Sequence, residues 1–370
     1  MTYVTSPTFE SRIALVGGEV VRCPEFKVNE VFDSANGKDP LDQDPFYVSA
    51  SRTLQEMLAL HDDDRPDLII YDFLAPAGRI LAHRLKIPAV QTSPTFAHSR
   101  KNWPDQVTDP EFRRQILESS GVTDRFLTRH GVASDGFQFF REKLNIYLFP
   151  KELQPAGDDL GESCFFAGRC AGEQPYYGDW QRSAAIDRPI VFVATSTTYL
   201  QKSDFFQMCI AALSGLRCHV ILSIGDHGDA AGLKPLPPHC EIVQHTSHIK
   251  ILPHVSAFIC LGGIITTSEA LYHGVPLIVT SLGALELEWQ AENLERLGIA
   301  IHIRKSEMTA EKVRAATARA LEDRQMRNRV RDLRDLVRRA PGGEETANRI
   351  EEHLETWRIL PAGDQMPGRA

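Results

Sequence analysis

The feature that most constrains the fold is an alternation of short apolar runs with longer helical stretches, which occurs in both halves of the 370-residue chain. In the first half, the run 67–73 (DLIIYDF) is followed by a helical pattern and then by the run 87–93 (IPAVQTS). In the second half, the runs 189–197, 256–263 and 275–283 are rich in Val and Ile, as strands buried on both faces require. Strands that alternate with helices predict parallel sheets, so we expect an α/β protein with two Rossmann-like halves.

A segment of turn-forming residues separates the two halves. Between Cys170 and Arg188 there are few aliphatic side chains, which is typical of an interdomain linker. The length also suits two α/β domains of roughly 150 to 200 residues each. We predict an N-terminal domain over residues 1–170, a linker over 171–188, a second domain over 189–343, a final helix over 344–360 and a disordered tail over 361–370.

The composition excludes several functional classes. Hydrophobic residues make up 42% of the chain and charged residues 24%, as in globular proteins. A net charge of -8 without a long basic run gives no electrostatic basis for binding nucleic acid. No apolar segment reaches membrane-spanning length, and the N-terminus lacks a signal-peptide pattern. The seven cysteines form no CxxC pair, so we expect reduced thiols in a cytoplasmic protein that binds neither nucleic acid nor membrane.

The most informative segment runs from Phe258 to Pro276 and contains a strand, two glycines, two threonines and a helix. A turn from a strand into a helix presents unpaired amide groups and the positive end of the helix dipole, which together bind a diphosphate. Gly262 and Gly263 allow the backbone to approach such a ligand, and the hydroxyls of Thr266 and Thr267 can add donors. Two glycines before a helix also occur for packing reasons, so this segment alone does not identify a nucleotide site.

Together with its neighbours, this segment resembles the C-terminal half of the family 1 inverting glycosyltransferases, especially the bacterial macrolide-type enzymes. The matching stretch includes HIKILPHVSAFI (248–259), Glu269 and ALYHGVPL (270–277). In the first half, residues 65–93 and FPKELQP (149–155) resemble the acceptor domain of that family. The resemblance extends over nearly the whole chain.

The resemblance implies a GT-B fold: two Rossmann-like domains with a cleft between them and a C-terminal helix that crosses back to the first. The N-terminal domain then binds an acceptor, and the C-terminal domain binds a nucleotide sugar. The implied reaction moves a sugar from a UDP- or dTDP-type donor to a hydroxyl of a small apolar acceptor such as a natural product. It is inverting, needs no metal or other cofactor, and uses a His that an Asp orients as the base. We also allow for a homodimer.

The family's functional positions transfer to this chain residue by residue. Asp72, after the strand LIIYD, matches the orienting Asp, although it could instead cap the following helix. Glu269 matches the Glu that holds the ribose hydroxyls, and His248 lies in the nucleotide-binding loop; the alternatives are an exposed helix acid and a surface histidine. The other donor-side candidates are Ser196, Thr197, His245 (in place of a base-stacking aromatic), Gly262, Gly263, Thr266, Thr267 and Glu286.

The sequence departs from the family pattern in three places. The family's first strand and its Gly-His loop with the catalytic base have no counterpart, since the chain begins at a TYVTSPTF-like segment and its first histidine is His61. Leu261 replaces the His of the family's His-Gly-Gly motif, which removes a charge-assisted contact worth roughly 1.5 to 3 kcal/mol. Finally, the family's sugar-reading Asp-Gln pair is replaced in residues 280–293, where either Glu286 or Glu288 could substitute.

These departures leave two questions open. One explanation is that the sequence starts at an internal Met, with the base and the first strand encoded upstream. The other is a genuinely short chain, whose parallel sheet would lack a central strand at a large cost in buried area. We favour the first explanation. For the function, the alternative to a transferase is a catalytically inactive relative that binds a ligand or activates a partner. A third hypothesis is another enzyme of the same architecture, such as a nucleotide-sugar epimerase.

Overall fold

The computed structural model divides the chain into two compact units. Its described residues are 1–23, 41, 45–60, 65–97, 109–133, 142–155, 160–170, 180–195, 203–225, 229–233, 235–244, 246–281, 283 and 285–361. Unit 1 consists of Met1–Tyr147, Ala156–Phe165 and Glu344–Ala370, and unit 2 consists of Leu148–Pro155 and Phe166–Gly343. The segment Leu148–Pro155, which lies inside the predicted first domain, thus groups with unit 2.

The described part of unit 1 contains two separate sheets. Its strands are β1 (Thr2–Thr5), β2 (Glu19–Arg22), β3 (Ile69–Asp72), β4 (Ala89–Ser93), β5 (Asn145–Tyr147) and β6 (Cys164–Phe166), the last of which ends at the unit boundary. β1 pairs with β2, and β3, β4, β5 and β6 form a four-stranded sheet in that order. The pairs β1–β2, β3–β4 and β4–β5 are parallel, as the alternating pattern predicts. β3 is an outer strand of its sheet, and its Ile70 is 42% exposed.

The helices of unit 1 enclose a hydrophobic core. They are α1 (Glu10–Ala14), α2 (Pro45–Leu60), α3 (Pro76–Leu85), α4 (Pro110–Arg129) and α11 (Gly342–Ile359), whose first two residues are assigned to unit 2. Leu54 of α2, Ile80 of α3 and Phe126 of α4 are at most 2% exposed and belong to one cluster of apolar side chains. Burial of each such side chain contributes about 1.5 to 3 kcal/mol.

The final helix, α11, contacts the rest of unit 1 near its C-terminal end. The Nη2 atom of Arg358 lies 2.9 Å from Oδ1 of Asp67, and the ring of Trp357 is buried. The sequence predicts that this helix begins after Gly342 and Gly343, but it begins at Gly342 itself. Gly342 has a φ of 77°, a conformation that favours glycine, and so it turns the chain into the helix.

Unit 2 contains a six-stranded parallel sheet with Rossmann topology. Its strands are β7 (Ile190–Ala194), β8 (His219–Ser223), β9 (Cys240–Val243), β10 (Val255–Cys260), β11 (Leu277–Val279) and β12 (Ala300–His302). They lie in the order β9-β8-β7-β10-β11-β12, and every neighbouring pair is parallel. The strand order reverses between β7 and β10, and ligands of open α/β sheets bind beyond the carboxyl ends of the strands at such a switch point.

Both faces of the unit 2 sheet are covered, which agrees with its apolar strands. The helices are α5 (Ser203–Leu213), α6 (His248–Ile251), α7 (Ile264–His273), α8 (Leu285–Arg296), α9 (Ala310–Glu322) and α10 (Arg324–Val337). Ile190, Val191, Phe192 and Val193 of β7 are each at most 1% exposed. The prediction of a strand buried on both faces is therefore confirmed for β7. Among the described residues, no helix is long and apolar enough to cross a membrane.

Candidate functional site

The glycine turn between β10 and α7 lies at the switch point of the unit 2 sheet. Gly262 has a φ of 83°, and a Cβ atom added to it would lie 2.5 Å from Cγ1 of Val279 on the neighbouring strand. Both the conformation and the close packing therefore require glycine at position 262. Gly263 is the N-cap of α7, and a Cβ atom added there would have no neighbour within 4 Å among the described residues. The space in front of the helix is thus open to a ligand.

The start of α7 provides the donors of an anion site. Within the described part of the chain, no side chain caps this helix, so its first amide groups have no intrahelical or capping partner there. These amides and the positive end of the helix dipole favour an anionic group in the open space beside Gly263. The structure therefore supports the diphosphate-binding prediction for Gly262 and Gly263 on physical grounds that do not depend on the resemblance.

The hydroxyl groups in the first turns of α7 have different roles. Thr267 is fully buried, and its Oγ1 lies 3.4 Å from the carbonyl oxygen of Gly262, so this hydroxyl stabilises the turn. Ser268 is also buried and donates to the carbonyl oxygen of Ile264. Thr266 is only half-buried, so of the two predicted threonines it is the one placed to contact a ligand.

His248 and Glu269 form a pair beside the same strands. The Nδ1 atom of His248, the first residue of α6, lies 2.5 Å from Oε2 of Glu269 on α7. The histidine ring meets Phe192 of β7 and Phe258 of β10 edge-on, at centroid distances of 5.8 and 5.7 Å. Since a carboxylate can only accept, Nδ1 donates to Glu269 and leaves the other ring nitrogen for a different contact. The structure thus brings together two residues that the sequence could only assign separately.

The loop before α6 contains two polar residues that the sequence analysis did not single out. Thr246 and Ser247 are 7% and 1% exposed, and among the described residues neither hydroxyl has a hydrogen-bond partner. A buried hydroxyl without a partner is unfavourable unless a ligand or water completes it. Their position between β9 and α6, at the carboxyl edge of the sheet, is the signal that could have identified them. The predicted candidates Ser196, Thr197 and His245 lie outside the described residues.

The structure distinguishes the two acids after β11. Glu288 is held within the protein: its Oε1 accepts from the backbone N–H of Gly283 at 3.2 Å, and its Oε2 lies 3.1 Å from Nε2 of His302. Glu286 is exposed on the first turn of α8, and its Oε1 accepts from Nε2 of the buried Gln290 at 3.0 Å. Glu286 is thus exposed beside Gln290, whereas Glu288 is engaged by Gly283 and His302.

Asp72 lies at the carboxyl end of β3 in unit 1. Its Oδ1 accepts from the backbone N–H of Leu74 at 2.9 Å, whereas the N-cap position of α3 is occupied by Ala75. The side chain reaches solvent, but neighbouring protein atoms displace part of its water and raise the pKa of Asp72, while the Leu74 hydrogen bond lowers it. Among the described residues, no histidine lies within ion-pair distance of this carboxylate.

Metal binding has no candidate in the described part of the chain. Within those residues, no three His, Cys, Asp or Glu side chains form a group that could hold a metal ion.

Comparison with known proteins identifies relatives of the whole chain. The C-terminal domain of erythromycin biosynthesis protein CIII-like proteins matches residues 207–353. The NDP-glycosyltransferase YjiC of Bacillus subtilis is 27% identical over 96% of this chain and 90% of its own length. Oleandomycin glycosyltransferase of Streptomyces antibioticus is also 27% identical, over 99% of this chain and 87% of its own length.

Solved structures give the same result. The calicheamicin glycosyltransferase CalG4 is 27% identical with a TM-score of 0.79 and covers 97% of this chain and 91% of its own. The glycotransferase of kitacinnamycin is 28% identical with a TM-score of 0.79, over 95% of this chain and 91% of its own. The two Rossmann-like units and the site at the unit 2 switch point define a GT-B protein. Within that class, the chain is similar to the macrolide-type family 1 glycosyltransferases.

Proposed function

We propose that this protein transfers a sugar from a nucleoside diphosphate sugar to a hydroxyl group of a small acceptor. The observation that carries the proposal is the uncapped start of α7, with open space beside Gly263 and the His248–Glu269 pair next to it. An anion site and a carboxylate at one switch point suit the diphosphate and the ribose of a nucleotide. The relatives named as an NDP-glycosyltransferase and as an oleandomycin glycosyltransferase support a natural product as the acceptor.

On the donor side, fixed groups bind the part of the substrate that leaves. The first amides of α7 bind the diphosphate, and the helix dipole stabilises the charge that develops when the bond to the anomeric carbon breaks. Because these groups are already oriented, little reorganisation is needed during the reaction. Glu269 accepts hydrogen bonds from the ribose hydroxyls, and the Nδ1 hydrogen bond from His248 holds its carboxylate in place. Glu286 and Gln290 are assigned to the hydroxyls of the transferred sugar.

On the acceptor side, the reaction requires removal of a proton from a hydroxyl that is a poor nucleophile at neutral pH. The family resemblance gives Asp72 the role of orienting the base. Its position at the carboxyl end of β3 agrees with that role, because functional groups of α/β sheets collect at this edge. Burial raises the pKa of Asp72, which makes its ionised form a stronger base and hydrogen-bond acceptor.

Ligand-induced stabilisation tests the donor half of the proposal. We expect UDP or dTDP at millimolar concentration to raise the Tm, because a ligand specific to the folded state stabilises it by mass action. At 100 times the Kd the stabilisation is about 2.7 kcal/mol. Adenosine and inorganic phosphate are the controls, since each supplies only part of the ligand. A panel of UDP- and dTDP-sugars with phenolic acceptors then measures transfer by mass spectrometry. Absence of both binding and transfer would contradict the proposal.

Glu269→Gln is expected to weaken UDP binding by about tenfold, or about 1.4 kcal/mol, because an amide is a poorer acceptor for two ribose hydroxyls than a carboxylate. Isothermal titration calorimetry with UDP and with 2′-deoxy-UDP measures the effect. The 2′-deoxy ligand should bind the wild type more weakly than UDP does but lose less affinity on substitution. Glu292→Gln, an exposed acid in the same unit, is the matched control. Equal losses for both ligands would assign Glu269 a role other than ribose binding.

A further inference from the structure

A buried histidine connects the end of β11, the following loop and the start of α8. His302 is the last residue of β12 and pairs in register with Val279 of β11. Its Nε2 lies 2.8 Å from Oγ of Ser281 and 3.1 Å from Oε2 of Glu288. The other carboxylate oxygen of Glu288 accepts from the backbone N–H of Gly283. The imidazole thus connects three consecutive parts of the chain, directly to Ser281 and Glu288 and through Glu288 to Gly283. We call these four residues the His302 cluster: Ser281, Gly283, Glu288 and His302.

The hydrogen bonds of the cluster favour one protonation state of His302. The side chain is completely buried, and Nδ1 has no hydrogen-bond partner among the described residues. A hydrogen on Nε2 can be shared with Glu288 and Ser281, whereas a hydrogen on Nδ1 would be a buried donor without an acceptor. Burial lowers the pKa of His302 and so does Arg304, while Glu288, Glu295 and Glu292 raise it. The neutral ring therefore donates from Nε2.

The cluster lies beside the pair assigned to the donor sugar. Glu286 precedes Glu288 by two residues on the first turn of α8, and Gln290 follows it by two. The Gly283 hydrogen bond joins the backbone at Gly283 to Glu288 in the first turn of α8. By contrast, the diphosphate site is built on the turn between β10 and α7, which shares no residue with the cluster.

We propose that Ser281, Glu288 and His302 are positioning residues that determine recognition of the donor's sugar by fixing the loop after β11 and the first turn of α8. This inference rests on the proposed glycosyltransferase function and deepens it, because it names residues that act on sugar selectivity through Glu286 and Gln290. The cluster contributes to binding of the sugar and not to binding of the nucleoside diphosphate.

The test compares the Kd for UDP with the Kd for UDP-glucose, and likewise for dTDP and dTDP-glucose, by isothermal titration calorimetry. His302→Leu removes the ring N–H that donates to Glu288. We expect the affinity for the nucleotide sugar that binds best to fall about tenfold. The affinity for the corresponding nucleoside diphosphate should change less than about twofold. His302→Gln keeps an N–H donor near the position of Nε2, so it should restore most of the loss. Glu322→Gln, an exposed acid at the end of α9 in the same unit, should change neither Kd.

Two outcomes would overturn the inference. Parallel losses for the nucleotide sugar and the nucleoside diphosphate would show a general structural role, and unchanged affinity of His302→Leu for the sugar would show no role. Should His302→Leu fail to fold, Ser281→Ala removes a single hydroxyl from the cluster and is judged by the same ratio of affinities. Failure of the wild type to bind any nucleotide would contradict the proposed function itself, so the two failures are distinguishable.

Discussion

Gly263→Asp is expected to abolish binding of nucleoside diphosphates while the protein remains folded. Gly263 has a φ of -56° and a ψ of 140°, which any residue adopts, and its side-chain position is open. An aspartate at an N-cap accepts hydrogen bonds from the first amides of the helix and stabilises it by about a few tenths of a kcal/mol relative to glycine. In this position the carboxylate occupies the amides that would bind the diphosphate and repels its charge. We expect at least about a 100-fold loss, equivalent to about 2.7 kcal/mol.

Gly263→Asn is the matched control because it has the same shape and also caps helices, but carries no charge. Calorimetric titration with UDP measures the affinity of each variant, and thermal denaturation measures its stability. The aspartate variant should be at least as stable as the wild type and bind UDP far more weakly than the asparagine variant does. Equal affinities for the two variants would place the diphosphate away from the start of α7.

The donor turn could be predicted from the sequence because its determinants are local. Two glycines between an apolar strand and a helix specify both the close approach of the backbone and the free amides, whatever the rest of the fold. The direction of the Thr267 hydroxyl could not be predicted in the same way. It depends on a rotamer that packing in the folded turn selects, and the structure directs this hydroxyl to the carbonyl oxygen of Gly262.

The residues around α8 show why spacing alone left the choice between Glu286 and Glu288 open. One residue separates these acids in sequence, and both are compatible with the family pattern. The choice is made by His302, which is 14 residues further along and reaches Glu288 only when β12 pairs with β11. In the sequence, His302 is a single polar residue inside the apolar run IAIHIR, where a core histidine is the ordinary interpretation. Contacts between distant strands therefore determine this part of the site.

The overall architecture was predictable in one unit and only partly in the other. The apolar strands of unit 2 are buried on both faces, and a short connection through each helix leaves few topologies other than the observed strand order. In unit 1 the alternating pattern predicts the parallel pairs, but not that the described strands separate into β1–β2 and β3–β6. Whether two groups of strands form one sheet depends on which edge strands pair with each other. The hydrophobic pattern of a single strand carries no information on that pairing.

Asp72→Asn is expected to lower kcat for sugar transfer by about 100-fold or more, because Asp72 is assigned to orient the base and proton transfer by a positioned base contributes typically 100- to 10,000-fold. The asparagine keeps the acceptor for the N–H of Leu74, so the turn after β3 should be preserved. UDP affinity should not change, since Asp72 belongs to unit 1 and the donor site to unit 2. If Asp72 served only to stabilise the turn, kcat would remain within about twofold of the wild type.

The pH profile distinguishes the ionised carboxylate from a structural role. Because burial raises the pKa of Asp72 above its ordinary value of 3.8, the wild-type rate should fall as the pH is lowered through that raised pKa, and the acidic limb should be absent in the variant. Asp67→Asn is the matched control, since Asp67 is exposed, lies just before the same strand and pairs with Arg358. Release of UDP in the presence of a phenolic acceptor measures the rate from about pH 4 upward, starting near the ordinary pKa of a carboxyl group. An acidic limb that persists in Asp72→Asn would show that the ionisation of another group, and not that of Asp72, limits the rate.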